Sequence, residues 1–283
     1  MKSRILLLLL LTTLTAAAKT RIGLPASHDA GLSGHATLYP VLPDDSLSGK
    51  SAVIICPGGS YHHLGMPHEG FRTAEWFRQH GVAAFVLRYR VSQNGHHHPC
   101  MLEDFQQALR YIRSHADAYG IDANRVGAIG FSAGGHLVLM GGALHHESLI
   151  GQPPADSLSL RPDWVAAIYP VVSMQDSIAH RKSRRNLLGH RPEPQLRERL
   201  SMELALPDDM PPVYLQASAD DPVVDYRNSV VMDKALTDKH IAHQFASYPT
   251  GGHGYGMKDT PFTRSTAWPD RMWSWLKEIG MVR

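Results

Sequence analysis

The stretch "VGAIGFSAGGHLVLM" (residues 126–140) decides the fold. Residues 125–131 read as a strand, apolar without polar alternation from Val126 onward, the pattern of a strand buried on both faces, and an apolar helix follows from Ser132 to about His145. The junction is Gly130-Phe131-Ser132-Ala133-Gly134. A serine here is either an ordinary helix N-cap or a nucleophile held on a strained strand-to-helix elbow. Glycines two residues to either side let the backbone turn sharply where a Cβ would strike the neighbouring strand and helix. An N-cap accounts for the serine and leaves both glycines unexplained.

Working outward, apolar runs alternate with helical patterns. "SAVIIC" (51–56) and "VAAFVL" (82–87) read as buried strands on either side of a helix that places Phe71, Ala74 and Phe77 at helical spacing. In 100–119, Leu102, Phe105, Leu109 and Ile112 mark one face of a long helix that stops at Gly120. "WVAAIYPV" (164–171), "PVYLQA" (212–217) and "HQFASYP" (243–249) supply later strands, with helices over about 226–239 and 263–279. Strands apolar on both faces and separated by helices imply a mostly parallel sheet covered on both sides. "ATLYPVLP" (36–43), with its internal proline, reads as an edge strand. With no repeat and no linker, 19–283 reads as a single domain. One stretch departs from the pattern: 174–210 is polar, basic and proline-containing, an excursion between two strands that is either a solvated helical segment or a cap over the site.

The 283 residues are 43% hydrophobic and 19% charged, enough apolar material for a sizeable core. A net charge of +2, without a long basic run, does not suggest nucleic acid as a partner. Residues 1–18 read as a signal peptide: Lys2 and Arg4, an apolar run from Ile5 to Leu11, and Ala16-Ala17-Ala18 at the cleavage site. The run is shorter than the roughly 20 residues a membrane span needs. The mature chain is therefore expected to begin near Lys19 and to be secreted or periplasmic. Cys56 and Cys100 allow at most one disulfide.

A serine hydroxyl needs a base, and on this kind of sheet the acid and the histidine follow the serine in order, on loops after later strands. "YLQASADDPVVDY" (214–226) offers Asp220 and Asp221 just past a strand, and "YPTGGHGYG" (248–256) offers His253 in a glycine-flanked loop. Donors for a tetrahedral oxyanion are also required. The loop "CPGGSYHHLG" (56–65) aligns as Pro57-Gly58-Gly59-Ser60 with the H-G-G-G type, so the amides of Gly59, Ser60 and Ala133 are the candidates. Side chains of Tyr61 and His62 in that loop, and His180 in the excursion, are candidates for the substrate pocket. "GHHHP" (95–99) is a weak metal motif, because three adjacent histidines rarely converge on one ion and no acidic partner is obvious in the sequence; neither metal nor cofactor is expected.

"CPGGSYHHL", "EGFRTAEWF", "VLRYR", "GFSAGGHL", "RPDW", "LLG", "ADDPVV" and "GGHGYG", in this order over nearly all of 19–283, resemble the compact α/β-hydrolase esterases of the acetylxylan-esterase and acetyl-esterase type. The resemblance implies an α/β-hydrolase fold with a small cap before the last two strands, and a cofactor-free serine esterase. Its substrate would be a short, chiefly acetyl, ester on a carbohydrate such as xylan or xylo-oligosaccharides. It implies Ser132 as nucleophile, His253 as base and Asp220, the first aspartate of the pair, as acid. Two departures stand out: Ser60 where a third glycine is common, and Cys100 where an aliphatic residue is usual. The alternatives are a peptidase of the dipeptidyl-peptidase type, which shares the "ADD" and "GH" signatures, and a non-catalytic carbohydrate-binding relative.

Overall fold

The computed structural model describes residues 21–29, 31–44, 50–151 and 158–283. The expected signal peptide lies outside them. Eight strands among the described residues form one sheet: β1 (Ile22–Gly23), β2 (Thr37–Val41), β3 (Ala52–Cys56), β4 (Ala83–Arg88), β5 (Val126–Phe131), β6 (Val165–Ile168), β7 (Val213–Ser218) and β8 (His243–Tyr248). Their spatial order is β1-β2-β4-β3-β5-β6-β7-β8. Every pair from β4 to β8 is parallel, while β2 runs antiparallel to β4 and carries the two-residue β1 on its outer side.

Parallel strands need crossovers, and the helices supply them. They are α1 (Arg72–Gln79), α2 (Cys100–Ser114), α3 (Ala133–Ala143), α4 (Arg181–Leu188), α5 (Pro194–Arg199), α6 (Arg227–Asp238), α7 (Pro261–Thr266) and α8 (Trp268–Glu278). Along each central strand, alternate residues serve opposite cores. Ile54, Phe85 and Ala128 pack with Phe105 of α2, Leu137 of α3 and Met232 of α6, whereas Val53, Val86 and Ile129 pack with Phe77 of α1 and Leu276 of α8. Each fully buried large side chain of this kind contributes roughly 1.5–3 kcal/mol of transfer free energy, so the two-sided cover is what holds the sheet.

Three local details differ from the sequence expectation. A π-helical turn, Met66–Phe71, precedes α1. The C-terminal helix is two helices, α7 and α8, because Ala267 between them adopts φ +43. The 100–119 helix ends at Ser114 and is followed by a 3₁₀ turn, Asp117–Tyr119. Both cysteines are buried and free. No described helix is long and apolar enough to cross a membrane.

The basic excursion between β6 and β7 is not a loose appendage. Leu187 of α4 is fully buried, Met202 N donates to the Val172 carbonyl at 3.1 Å, and Asn228 Nδ2 donates to the Ile178 carbonyl at 2.9 Å. It carries α4 and α5 next to the loop that follows β3, where Asn186 Nδ2 donates to the Ser60 carbonyl at 2.8 Å.

Candidate active site

Ser132 stands between β5 and α3 with φ +53 and ψ −117, a conformation that a side-chain-bearing residue rarely adopts. The flanking glycines are what permit it. A Cβ on Gly130 would lie 2.0 Å from the Gly134 carbonyl oxygen, and one on Gly134 would lie 2.0 Å from the Cys56 carbonyl oxygen. Ser132 occupies the N-cap position, yet its side chain caps no helical amide. Its Oγ lies instead 2.9 Å from His253 Nε2.

His253 sits in the loop after β8, and its Nδ1 is 2.6 Å from Asp221 Oδ2 in the turn after β7. A carboxylate only accepts, so Nδ1 carries the proton and Nε2 offers its lone pair to the Ser132 hydroxyl. The Asp221 side chain is 2% exposed, and its other oxygen accepts the amides of Val223 at 2.8 Å and Val224 at 3.0 Å. These two bonds fix the carboxylate before it reaches the imidazole. The expected acid, Asp220, is not in this chain of contacts. Its Oδ1 accepts the Gly252 amide at 2.8 Å, and it lies on the exposed side of the turn. The correction is one residue, set by which way the turn after Ser218 rotates.

The loop after β3 comes up beside Ser132. Gly58 is in contact with it: a Cβ there would fall 2.9 Å from the Ser132 Cβ. Gly59 has φ +135, and Ser60 and Tyr61 follow at φ +57 and +58, so the loop turns through three consecutive left-handed residues. Ala133, at the first position of α3, has an amide without an intrahelical partner. The loop that carries the Gly59 and Ser60 amides and the start of α3 therefore both adjoin Ser132.

Beside them is a cavity of about 180 Å³ lined in part by Gly59, Ser60, His63, Ser132, Val223 and His253. His62 is exposed and does not line it, and neither does Tyr61, which is fully buried. The left-handed backbone turns the Tyr61 ring inward, where its hydroxyl donates to His136 Nδ1 at 2.8 Å while His136 Nε2 donates to the Leu200 carbonyl at 2.8 Å. Burial holds the His136 pKa at about 4, which keeps the ring neutral and lets it accept from Tyr61. His180, at the N-cap position of α4 with its Nδ1 2.8 Å from the Ser183 hydroxyl, does not line the cavity either; burial and then the nearby His253 lower its pKa. A larger cavity, about 460 Å³ around His145, His146 and Arg161, shares no residue with this one.

Two supporting residues have no counterpart in the sequence expectation. Glu69 is buried, accepts the Gly58 amide at 2.8 Å through Oε2, and accepts the Tyr169 hydroxyl at 2.8 Å through Oε1. Tyr169, at φ +38 after β6, also receives the Gly256 amide at 3.0 Å, and its ring centroid lies 4.7 Å from that of His253. Glu69 therefore ties the loop after β3 to the loop that carries His253. The available signal was spacing: Glu69 precedes the buried Thr73 by four residues and Phe77 by eight, an acid on an inward face. Chemically, the arrangement can move a proton from Ser132 to a neutral imidazole and surround a developing oxyanion with amides.

The BD-FAE family model matches residues 41–236. An acetylxylan esterase of Xylanibacter ruminicola is 31% identical over 279 residues, 96% of this chain and 54% of that protein. The endo-1,4-β-xylanase B of Butyrivibrio fibrisolvens is 32% identical over 228 residues, 80% of this chain and 35% of that protein. The chain thus spans about half or less of the length of these two curated relatives. Among solved structures, an acetyl ester-xyloside bifunctional hydrolase from Caldicellulosiruptor lactoaceticus superposes with a TM-score of 0.84 at 32% identity, covering 94% of this chain and 98% of that one. A carboxylesterase from Lactobacillus plantarum shares the fold, with a TM-score of 0.74 at 21% identity over 93% of this chain and 98% of that one. The matched model, the shared α/β-hydrolase fold and the serine elbow at its centre agree: the chain belongs to the BD-FAE family.

Proposed function

We propose that this protein is a serine carboxylic-ester hydrolase that removes short acyl groups, chiefly acetyl, from xylan or xylo-oligosaccharides. The observation that carries the reading is the unbroken contact chain Asp221–His253–Ser132, ending beside the cavity that Gly59 and Ser60 line. His253 takes the Ser132 proton as Oγ attacks the ester carbonyl. The amides of Ala133, Gly59 and Ser60 receive the oxyanion, and His253 returns the proton to the departing sugar oxygen. Water, deprotonated by the same imidazole, then cleaves the acyl-serine. Asp221 holds the imidazole in the required tautomer. The intact chain of contacts speaks against a non-catalytic carbohydrate-binding role.

The carbohydrate part rests on the relatives, an acetylxylan esterase and an acetyl ester-xyloside hydrolase. The acyl part rests on size, since a cavity of about 180 Å³ is below the roughly 300–1,000 Å³ that houses a drug-sized ligand. Hydrolysis of p-nitrophenyl acetate, butyrate and octanoate, beside acetyl release from acetylated xylan, tests both. The expected result is a fall in kcat/KM of about tenfold or more from acetyl to butyryl, because lost burial is worth about 0.8 kcal/mol per CH₂ and a full pocket adds steric cost. A preference for octanoyl overturns the short-acyl reading, and no acetyl release from xylan overturns the carbohydrate one. The same reading places the enzyme outside the cytoplasm after removal of residues 1–18; amino-terminal sequencing of secreted protein should begin near Lys19.

A further inference from the structure

Two segments remote from Ser132 in sequence meet at the start of α2 and bring together side chains that ester hydrolysis does not use. Cys100 opens α2, His96 lies four residues before it, and Asp29 comes from the segment preceding β2. The Cys100 thiol donates to Asp29 Oδ2 at 3.0 Å, and His96 Nδ1 lies 3.9 Å from the same oxygen. The three potential donor atoms all fall within 4.8 Å of one another.

The tautomer of His96 is settled by its surroundings. Its Nε2 faces the Ser33 carbonyl at 2.9 Å, which only accepts, so Nε2 carries the proton. Nδ1 is then a bare lone pair. The His96 ring is fully buried, and Nδ1 has no hydrogen-bond partner. A buried acceptor without a partner costs desolvation energy with nothing gained in return, and this one points at a thiol and a carboxylate.

We propose that Asp29, His96 and Cys100 form a binding site for a divalent transition-metal ion of the zinc class. A sulfur, an imidazole nitrogen and a carboxylate oxygen suit such a borderline-soft cation, with bonds of about 2.0–2.3 Å that the present separations reach by small side-chain shifts. On binding, the sulfur coordinates as thiolate and its proton passes to solvent; thiolate and carboxylate together then match the charge of the cation. The Asp29 side chain is 46% exposed, which provides an entry path and leaves a fourth position for water. The nearby Arg90 does not oppose the cation, because Nη2 is already 2.8 Å from Glu103 and 2.7 Å from Asp104.

The ion would act as a clip between distant parts of the chain. The His97 Nδ1 donates to the Asn186 carbonyl at 2.8 Å and the His98 amide to the Leu187 carbonyl at 2.7 Å, so the 95–100 segment supports α4, whose Asn186 in turn holds Ser60. The metal therefore stabilises the fold around the site and does not enter the reaction.

The test uses Co²⁺ as the probe on the full, metal-stripped chain. Co²⁺ should produce a thiolate-to-metal charge-transfer band in the near ultraviolet, Zn²⁺ should bleach it, and Zn²⁺ should raise Tm in a way that a chelator reverses. The trio His145, His146 and Asp209 offers cobalt no sulfur, so the band reports the Cys100 site alone. Cys100→Ser should abolish the band while Cys56→Ser retains it. Asp29→Asn should weaken Co²⁺ binding by about tenfold or more, at least the effect of losing an outer-shell partner. Absence of the band in folded, stripped wild-type protein overturns the proposal. So does a band that survives Cys100→Ser or, if that variant does not fold, a Co²⁺ affinity unmoved in Asp29→Asn.

Discussion

His253 Nδ1 lies 2.6 Å from Asp221 Oδ2, while the carboxylate of the preceding residue, Asp220, takes the Gly252 amide at 2.8 Å. Two successive aspartates thus grip the same loop, one by its imidazole and the other by its backbone. Asp221→Asn should lower kcat on an acetyl ester by about 10⁴, because the amide can no longer hold the required tautomer. Asp220→Asn, which keeps an acceptor for Gly252, should cost less than about tenfold, comparable with one weakened neutral hydrogen bond. Steady-state kinetics on the two variants decide between them, and a larger loss in Asp220→Asn would reverse the assignment.

Ser132→Ala should lower kcat by roughly 10⁵–10⁶. The hydroxyl caps no helical amide, so Tm should change little. Hydrolysis within tenfold of wild type, in protein free of contaminating esterase, would remove Ser132 from the mechanism.

Glu69→Ala leaves the Gly58 amide and the Tyr169 hydroxyl without their shared acceptor. Two orphaned buried donors cost about 2–6 kcal/mol, and the loop carrying Gly59 and Ser60 loses its anchor. Denaturant titration should show that loss together with a fall in kcat, and Glu69→Gln should be milder in both. An alanine variant as stable as wild type would mean that water replaces the carboxylate without cost.

Stability should fall on acidification through His136. The unfolded chain protonates this histidine near the ordinary imidazole value of about 6.5, whereas burial holds the folded value at about 4. Between those values the unfolded state binds more protons, so stability drops as pH falls from about 6.5 towards 4, by at most about 1.4 kcal/mol per pH unit from this group, and is unaffected by it above that window. Unfolding free energies measured across pH 4–8 should show the slope, and His136→Gln should reduce it. An unchanged slope in that variant would place the sensitivity elsewhere.

The two-sided burial of Val53, Ile54 and Ile55 and the paired glycines around Ser132 made the sheet and its elbow readable from residues alone, since both follow from steric and solvation rules that act over a few positions. Other features depend on rotations that composition does not encode. Asp220 and Asp221 are chemically identical, and only the turn that presents Asp221 to the Val223 and Val224 amides separates them. Tyr61 looks like a pocket residue until φ +58 turns it to His136. His96 lay in a metal motif without an acid nearby, and Asp29, more than sixty positions earlier, is brought to it only by the fold. The break in the last helix at Ala267 had a signal that went unread, Pro269 in the first turn of α8.

The contact between Gly134 and the Cys56 carbonyl has an evolutionary consequence. It sets the height of the serine above the sheet by backbone meeting backbone, with no side chain in between. Positions 130 and 134 therefore tolerate no side chain, whatever changes elsewhere in the scaffold.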